Sequence, residues 1–401
     1  MTIICQIKGL IMLSQEHRAI ISATVPVLQQ GGETLTRHFY QKLFSEYPQV
    51  LPFFNQAHQH SGTQQRALAN SILMYASNID RLEALGPLVK GIVNKHAALQ
   101  IMPEHYPMVG AALLGAIREV LGEAVATDAV IEAWAAAYGQ LAEILTGAEQ
   151  EIYTKNAQAV GGWQGERSFQ VISKTIESDE ITSFVMAPAD EAEVMDFLPG
   201  QYITILLTID GEQARRQYSL SDISNGKTYR ISVKREPGGK VSNYLHDHIS
   251  VGSQVSLFPP TGAFTLNSSE KPLVLISGGV GITPTLAMLS KALQTQRPVH
   301  FIHAARHAGV HAFGAHIDAL AAAHPQLQRY YVYEQGTEGA DATGFLSREH
   351  LEQWIPASRD VDAYFLGPLP FMKAVKFHLR DIGVPESQSH YEFFGPAEAL
   401  Q

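Results

Sequence analysis

The stretch LVLISGGVGITP, residues 273–284, decides how the last third of the chain is read. Leu273–Ser277 is a short apolar run of strand length, and the helical period begins near Pro284 and lasts to about Leu293. Between them lie Gly278, Gly279, Val280, Gly281, Ile282 and Thr283. Small residues at a strand-to-helix turn let backbone N–H groups approach a pyrophosphate, and the helix N-terminus adds partial positive charge. Pro284 suits a first helical turn, where its missing N–H costs nothing. Tight turns also use glycine for steric reasons, and the third glycine and following acid of the usual dinucleotide fingerprint are absent. The turn alone is therefore weak evidence, and its strand–helix setting strengthens it.

Downstream, strands at Val299–His303, Arg329–Tyr333 and Ala363–Leu366 alternate with helices at Ala312–Ala323 and Phe371–Ile382, the pattern of a doubly wound α/β domain. Arg306 and His307 follow a strand and could meet a ribose phosphate, although exposed basic residues are common there, so NADH or NADPH is left open. Upstream, the period falls to two. Phe169–Lys174, Ile181–Met186, Gln201–Ile209, Tyr229–Lys234 and Gln254–Phe258 read as short strands separated by turns, which favours a small barrel. Asn156–Gly165, with three glycines, reads as a linker. Before it, apolar residues recur at helical spacing, as in Val130, Ile131, Trp134, Tyr138, Leu141 and Leu145 after a cap at Thr127 or Asp128. Pro48, Pro52, Pro87, Pro103 and Pro107 divide this region into several helices.

The bulk numbers narrow the function. A chain of 401 residues is long for one domain, and 45% hydrophobic with 17% charged residues is ordinary for a globular protein. Net charge of -10 argues against nucleic-acid binding, which needs a concentrated basic surface. Cys5 alone leaves no internal disulfide and no cysteine-based metal site, as in a reducing compartment. Met1–Leu13 is apolar, but it lacks a basic head and is shorter than the ~20 residues of a membrane span. It reads as an extension ahead of a fold starting near Met12. The expectation is a cytoplasmic, monomeric protein without stable membrane insertion.

Three further clusters carry a resemblance. Pro199-Gly200-Gln201-Tyr202, then Arg216-Gln217-Tyr218-Ser219, then Gly239-Lys240-Val241-Ser242 precede the α/β region in that order. This trio resembles the flavin-binding barrel of the ferredoxin–NADP reductase superfamily. The resemblance implies that Tyr202, Arg216, Gln217, Tyr218, Ser219, Gly239, Val241 and Ser242 contact FAD. Arg216 can pair with a phosphate, Tyr218 can lie flat on the ring, and Ser219 can hydrogen-bond near the hydride-accepting nitrogen. Taken singly, an arginine and a tyrosine on a strand are unremarkable. Gly278, Gly279, Val280, Gly281, Ile282 and Thr283 then fall to the nicotinamide nucleotide. Gly367-Pro368 would lie beside the nicotinamide, and Glu392, Phe393, Phe394 and Gly395 over the flavin. The superfamily often has cysteine where this chain has Leu366 and Phe393, so no thiol assists hydride transfer here.

A reductase needs an acceptor, and the helical region offers His17, His38, His58, His60, His96 and His105. A lone helical histidine is more often surface or core than a ligand, and periodicity does not select among them. The residues His38-Phe39-Tyr40, Pro52-Phe53-Phe54-Asn55, Gln64 to Leu68, Lys95-His96, Tyr106 and Ala137-Tyr138-Gly139 look like the globin domain of bacterial flavohaemoglobins. That resemblance continues through nearly the whole chain after Met12. It implies a globin domain over 12–153, a linker over 154–165, an FAD-binding β-barrel over 166–267 and an NAD(P)-binding α/β domain over 268–401. It implies haem b, FAD and NADH or NADPH as cofactors. His96 would be the iron ligand, Phe54 and Leu68 would pack on the haem, and Lys95 would lie toward the flavin. Tyr40 would be the donor to bound oxygen with Gln64 beside it, and Tyr106 and Glu149 would complete a network behind the ligand. The implied reaction is dioxygenation of nitric oxide by oxygen to nitrate, with electrons passing from NAD(P)H through FAD to haem. Two rivals are an oxygen- or nitric-oxide-sensing globin with a maintenance reductase, and a flavin reductase acting on peroxide or quinone.

Overall fold

The computed structural model describes residues 13–54 and 62–394, so Cys5, Met12, Asn55, His58, His60 and Gly395 lie outside the described residues. The chain forms two compact units, one of helices through Gln158, with which Asp210–Arg215 is grouped, and one comprising Ala159–Ile209 and Arg216–Phe394, to which the rest of the strand begun at Glu212 belongs. Among the described residues no helix is long and apolar enough to cross a membrane.

The first unit is all-α: α1 Gln15–Ala23, α2 Val25–Glu46, α3 Thr63–Ser77, α4 Gly86–Leu99, α5 His105–Leu121 and α6 Asp128–Gln158. Ser14 caps α1 by accepting the His17 N–H, and Thr127 accepts the Val130 N–H ahead of α6. The prolines act as expected. Pro48 and Pro52 lie in a 3₁₀ segment, and Pro87 opens α4. Helix α6 is about 46 Å long at 1.5 Å per residue. It runs past Tyr153 to Gln158, so the first residues of the segment read as a linker are helical. Its buried stripe, Ala133, Ala137, Ile144, Leu145, Ala148 and Glu149, keeps helical spacing and carries one carboxylate into the core.

In the second unit, strands β1 Arg167–Ile176, β2 Ile181–Pro188, β3 Tyr202–Ile209, β4 Glu212–Ser219, β5 Tyr229–Lys234 and β6 Gln254–Thr261 form an antiparallel sheet in the order β4-β3-β6-β1-β2-β5. A bridge between Leu220 and Ile231 joins its two edges, so the expected barrel closes on itself. Lys240–His248, whose start was read as a turn, is a helix, α7. Its buried Val241 and Leu245 are an i,i+4 pair too short to stand out as a period.

The second sheet contains β7 Leu273–Gly278, β8 Val299–Ala305, β9 Leu327–Tyr333, β10 Ala342–Thr343, β11 Asp362–Leu366 and β12 Ser389–Tyr391. All its pairings are parallel, in the order β10-β9-β8-β7-β11-β12. Helices α8 Ile282–Ala292, α9 Gly314–Ala323, α10 Arg348–Trp354 and α11 Leu369–Asp381 accompany it. The chain winds outward from β7 to β10, then returns to lay β11 on the other side of β7. The C-terminal end of β7 is thus the switch point, where ligands of open α/β sheets bind.

Candidate functional sites

The helical unit gathers a histidine, a tyrosine and a carboxylate from three helices. His96 stands on α4 beside the buried stripe of Val89, Val93 and Ala97. Its Nδ1 lies 2.7 Å from Glu149 Oε1 on α6 and 3.1 Å from the Tyr106 hydroxyl on α5. Tyr106 donates to the same Glu149 oxygen at 2.6 Å. Two donors therefore converge on one oxygen of a carboxylate that is 1% exposed. Both donors offset the cost of burying the charge at Oε1, whereas Oε2 is buried without a hydrogen-bond partner. The arrangement also assigns the tautomer: Nδ1 carries the proton toward Glu149, and the Nε2 lone pair is left for a ligand. Burial first, and Glu149 second, push the Tyr106 hydroxyl far above its ordinary pKa, so it stays a donor.

Tyr106 is itself held in place. Tyr138 on α6 donates to the Tyr106 carbonyl at 2.6 Å. A Cβ at Gly110 would come within 2.6 Å of the Tyr138 ring, so glycine is what lets that ring pass. Other histidines are committed elsewhere: His38 pairs with Glu119 at 2.6 Å, and His105 accepts the Met102 N–H at 2.8 Å.

A second group in this unit surrounds Tyr40, which is 6% exposed on α2. Its ring packs against Phe44 and, edge-on, against Phe54, with centroids 5.7 and 5.8 Å apart. Burial raises the Tyr40 pKa well beyond its usual value, opposed by a side-chain hydrogen bond with Gln64. The hydroxyl remains a neutral donor at any physiological pH. Phe54 and Leu68 are half-buried against the same apolar core. One committed imidazole with a free Nε2, in a unit rich in half-buried apolar residues, fits a haem. Lys95 is half-buried beside His96.

The second unit holds two adjoining sets. On β4, Arg216 and Tyr218 are half-buried, Gln217 is exposed and Ser219 is buried. Burial lowers the Arg216 pKa and raises that of Tyr218, whose hydroxyl Arg216 partly offsets. Gly239 precedes α7, and Ser242 Oγ accepts the Glu236 N–H at 3.2 Å, shaping the helix start; Val241 beneath it is 3% exposed. A helix N-terminus in place of the expected turn suits a flavin diphosphate equally well. Tyr202 is buried, and Glu392, 190 positions later in the chain, is near enough to raise its pKa after the larger effect of burial. Phe393 packs edge-on to Tyr391 with centroids 6.1 Å apart, whereas Phe394 is 50% exposed.

The Gly-rich turn closes β7. Gly279 has φ +53, and Gly281 leads directly into α8, where Thr283 Oγ1 donates to the Val280 carbonyl at 3.1 Å. Ile282 and Thr283 are buried and Val280 half-buried. A Cβ on Gly281 would sit 2.5 Å from the Leu366 carbonyl oxygen, and one on Gly278 would be 3.1 Å from Phe371. The turn thus lies against Gly367, with backbone close to backbone.

Two features had no sequence signal. Ser277 Oγ is 2.8 Å from His303 Nδ1, and His303 stacks on His311 at 4.4 Å, behind the turn. Glu180, in the β1–β2 turn, forms an ion pair with Arg306 beyond β8. Ser277 and His303 meet because their strands are in register, whereas Glu180 and Arg306 meet only because barrel and α/β sheet pack within one unit.

Comparison with known proteins bears on all three regions. A globin family model matches residues 37–145, an oxidoreductase FAD-binding domain 168–266, and an oxidoreductase NAD-binding domain 275–376. The chain is 64% identical over 392 residues to a flavohaemoprotein of Burkholderia sp. (strain TH2), covering 97% of this chain and all of that one. The crystal structure of a flavohaemoglobin from Malassezia yamatoensis with bound FAD and haem superposes with a TM-score of 0.85 at 30% identity, covering 96% of this chain and 100% of that one. The FAD/NAD-binding domain of a nitric oxide dioxygenase from Vibrio cholerae matches 56% of this chain and 97% of its own, at 39% identity and TM-score 0.54.

Proposed function

The chain belongs to the flavohaemoprotein family, and from that premise we propose that it is an NAD(P)H-dependent nitric oxide dioxygenase. Joining globin, FAD-binding and NAD-binding regions in one chain makes it an oxidoreductase whose globin has its own electron supply. The observation that favours catalysis over gas storage or sensing is the buried Glu149 carboxylate on His96 Nδ1. A carboxylate accepting the imidazole proton raises ligand basicity and pushes electron density toward a metal.

FAD, when bound, would supply the conversion of a two-electron nicotinamide donor into single electrons, and haem b the centre at which nitric oxide and oxygen give nitrate for one electron each. His96 Nε2 would hold the iron, with Glu149 and Tyr106 orienting the ring. Tyr40, kept neutral by burial and oriented by Gln64, presents an O–H donor to a polar ligand, and Phe54 and Leu68 keep the surroundings apolar. In the second unit Arg216 would pair with a phosphate, Tyr218 would lie on the flavin ring, and Ser219 would donate a hydrogen bond to it. Gln217, Tyr202, Gly239, Val241 and Ser242 complete that cradle, with Glu392 and Phe393 over it. The N–H groups from Gly278 to Thr283 would receive the nucleotide pyrophosphate. Lys95, beside His96, has its role in the same proposal, as do the domain limits 12–153, 166–267 and 268–401.

The test is NADH-dependent consumption of nitric oxide under air by the haem- and FAD-loaded protein. Consumption should leave nitrate in equal amount and vanish in His96→Ala, while NADH still reduces the flavin. Full turnover in that variant, or none in the loaded parent, would refute the reading.

A further inference from the structure

We propose that Glu180 makes this reductase selective for NADH, by placing a negative charge against Arg306 where the 2′-phosphate of NADPH would bind. The inference rests on the reading of the Gly-rich turn as the nucleotide site.

The parallel ladder places the relevant residues. Ser277 is in register with His303, and His303 with Tyr331, so β7, β8 and β9 end side by side. Pairing continues beyond the strands: the Glu334 N–H donates to the Ala305 carbonyl at 3.1 Å and Gln335 to Arg306 at 2.8 Å. Arg306 and Glu334 therefore stand on the rim next to the turn. With a pyrophosphate at that turn, Gly367 occupies the β11 side, and the adenosine ribose falls toward β8 and β9. At such a position an acid reads the 2′-hydroxyl and an arginine accommodates the 2′-phosphate. By sequence alone, Arg306 and His307 could meet a ribose phosphate, and the choice between NADH and NADPH stays open.

The structure gives Arg306 another partner. Its guanidinium pairs with Glu180, which stands 126 residues earlier in the β1–β2 turn. That turn is fixed on two sides: the Asp179 N–H donates to the Gly309 carbonyl at 2.9 Å, and the Glu180 carbonyl accepts the Arg235 N–H at 2.7 Å. The backbone that carries the carboxylate is thus held at the rim by the flavin-binding barrel.

Charge then discriminates. The ion pair itself is weak, because Arg306 and Glu180 side chains are 53% and 30% exposed. What matters is the negative charge that stays behind. A 2′-phosphate that captured Arg306 would face both Glu180 and Glu334, and like charges brought together oppose binding. A neutral 2′-hydroxyl has no such conflict.

Full-length protein loaded with FAD is titrated calorimetrically with 5′-AMP and with 2′,5′-ADP, which differ only in the phosphate at issue. The parent should bind 5′-AMP at least as tightly as 2′,5′-ADP. Glu180→Gln should tighten 2′,5′-ADP about tenfold relative to 5′-AMP, and adding Arg306→Ser should reverse that gain. The ratio of kcat/KM for NADPH over NADH, read by flavin reduction, should rise with it. A parent that prefers 2′,5′-ADP, or a Glu180→Gln variant whose affinity ratio is unmoved while NADH still reduces the flavin, overturns the proposal alone. Failure of both nucleotides to reduce the flavin removes the nucleotide site itself, and the proposal with it.

Discussion

Replacing Glu149 by Gln tests the electron-donating network behind His96 with the least change of shape. The glutamine keeps a carbonyl oxygen where Oε1 now meets His96 Nδ1 at 2.7 Å and Tyr106 at 2.6 Å, but it carries no charge. Hydrogen bonds to charged groups contribute about 1.5–3 kcal/mol and neutral ones about 0.5–1.5, so roughly 1 kcal/mol of stabilisation per bond is lost. The loss is greater when the iron is ferric, because a carboxylate favours the more positive state. Only that difference between the two states moves the potential, and with about 1.4 kcal/mol corresponding to roughly 59 mV for a one-electron couple, a difference of about 1 kcal/mol raises the haem midpoint potential by about 40 mV. Tyr106→Phe should move it the other way. Without the tyrosine hydroxyl on the same oxygen, Glu149 is left to the imidazole alone. Spectroelectrochemical titration of the two haem-loaded variants against the parent gives both shifts. Thermal unfolding confirms that each variant is folded. Potentials that stay within about 10 mV of the parent, or that move in the same direction in both variants, would refute the claim that the carboxylate tunes the ligand.

Three other outcomes are expected. Gly281→Ala should destabilise the second unit by about 1–3 kcal/mol and weaken nucleotide binding, because its methyl would overlap the Leu366 carbonyl; a Tm and an NADH KM equal to the parent's would show that the turn has room. Tyr40→Phe should speed oxygen release about tenfold in flash-photolysis or stopped-flow measurements, the cost of one hydrogen bond, and an unchanged off-rate would take Tyr40 out of ligand binding. Burial lowers His311 to about 4. The unfolded chain therefore takes up that proton near pH 6.5, while the native ring resists it until about pH 4. The stability at stake is complete above pH 6.5 and declines by about 3 kcal/mol as pH falls toward 4. His311→Phe should flatten that decline in unfolding curves collected from pH 7.5 to 4.5, and an unaltered slope would locate the acid sensitivity elsewhere.

Much of the architecture was legible because it rests on local periodicity. The period of two from Phe169 to Phe258 marked a barrel, and the alternation after Leu273 marked a parallel sheet, since each pattern is the burial pattern of one element. Helix α7 escaped this reading because two buried residues make no period, and the short strands β10 and β12 escaped because only their neighbours in the sheet define them. Glu149 was within reach: it lies four residues after Leu145 on the buried stripe of α6, where a carboxylate needs a partner. Which partner it takes did not follow from that spacing, because His96 and Tyr106 come from helices 53 and 43 residues away.

The order of the motifs, read along a single chain, was enough to establish three folding regions and the chemistry each could carry. Packing alone decided which charges face one another. Arg306 could meet a phosphate until the β1–β2 turn brings Glu180 against it, and His96, which periodicity leaves as any helical histidine and only the family resemblance picks out, receives two groups on its Nδ1 from α5 and α6. Periodicity follows from the geometry of one segment, whereas an electrostatic field is a sum over distances that only the folded chain possesses.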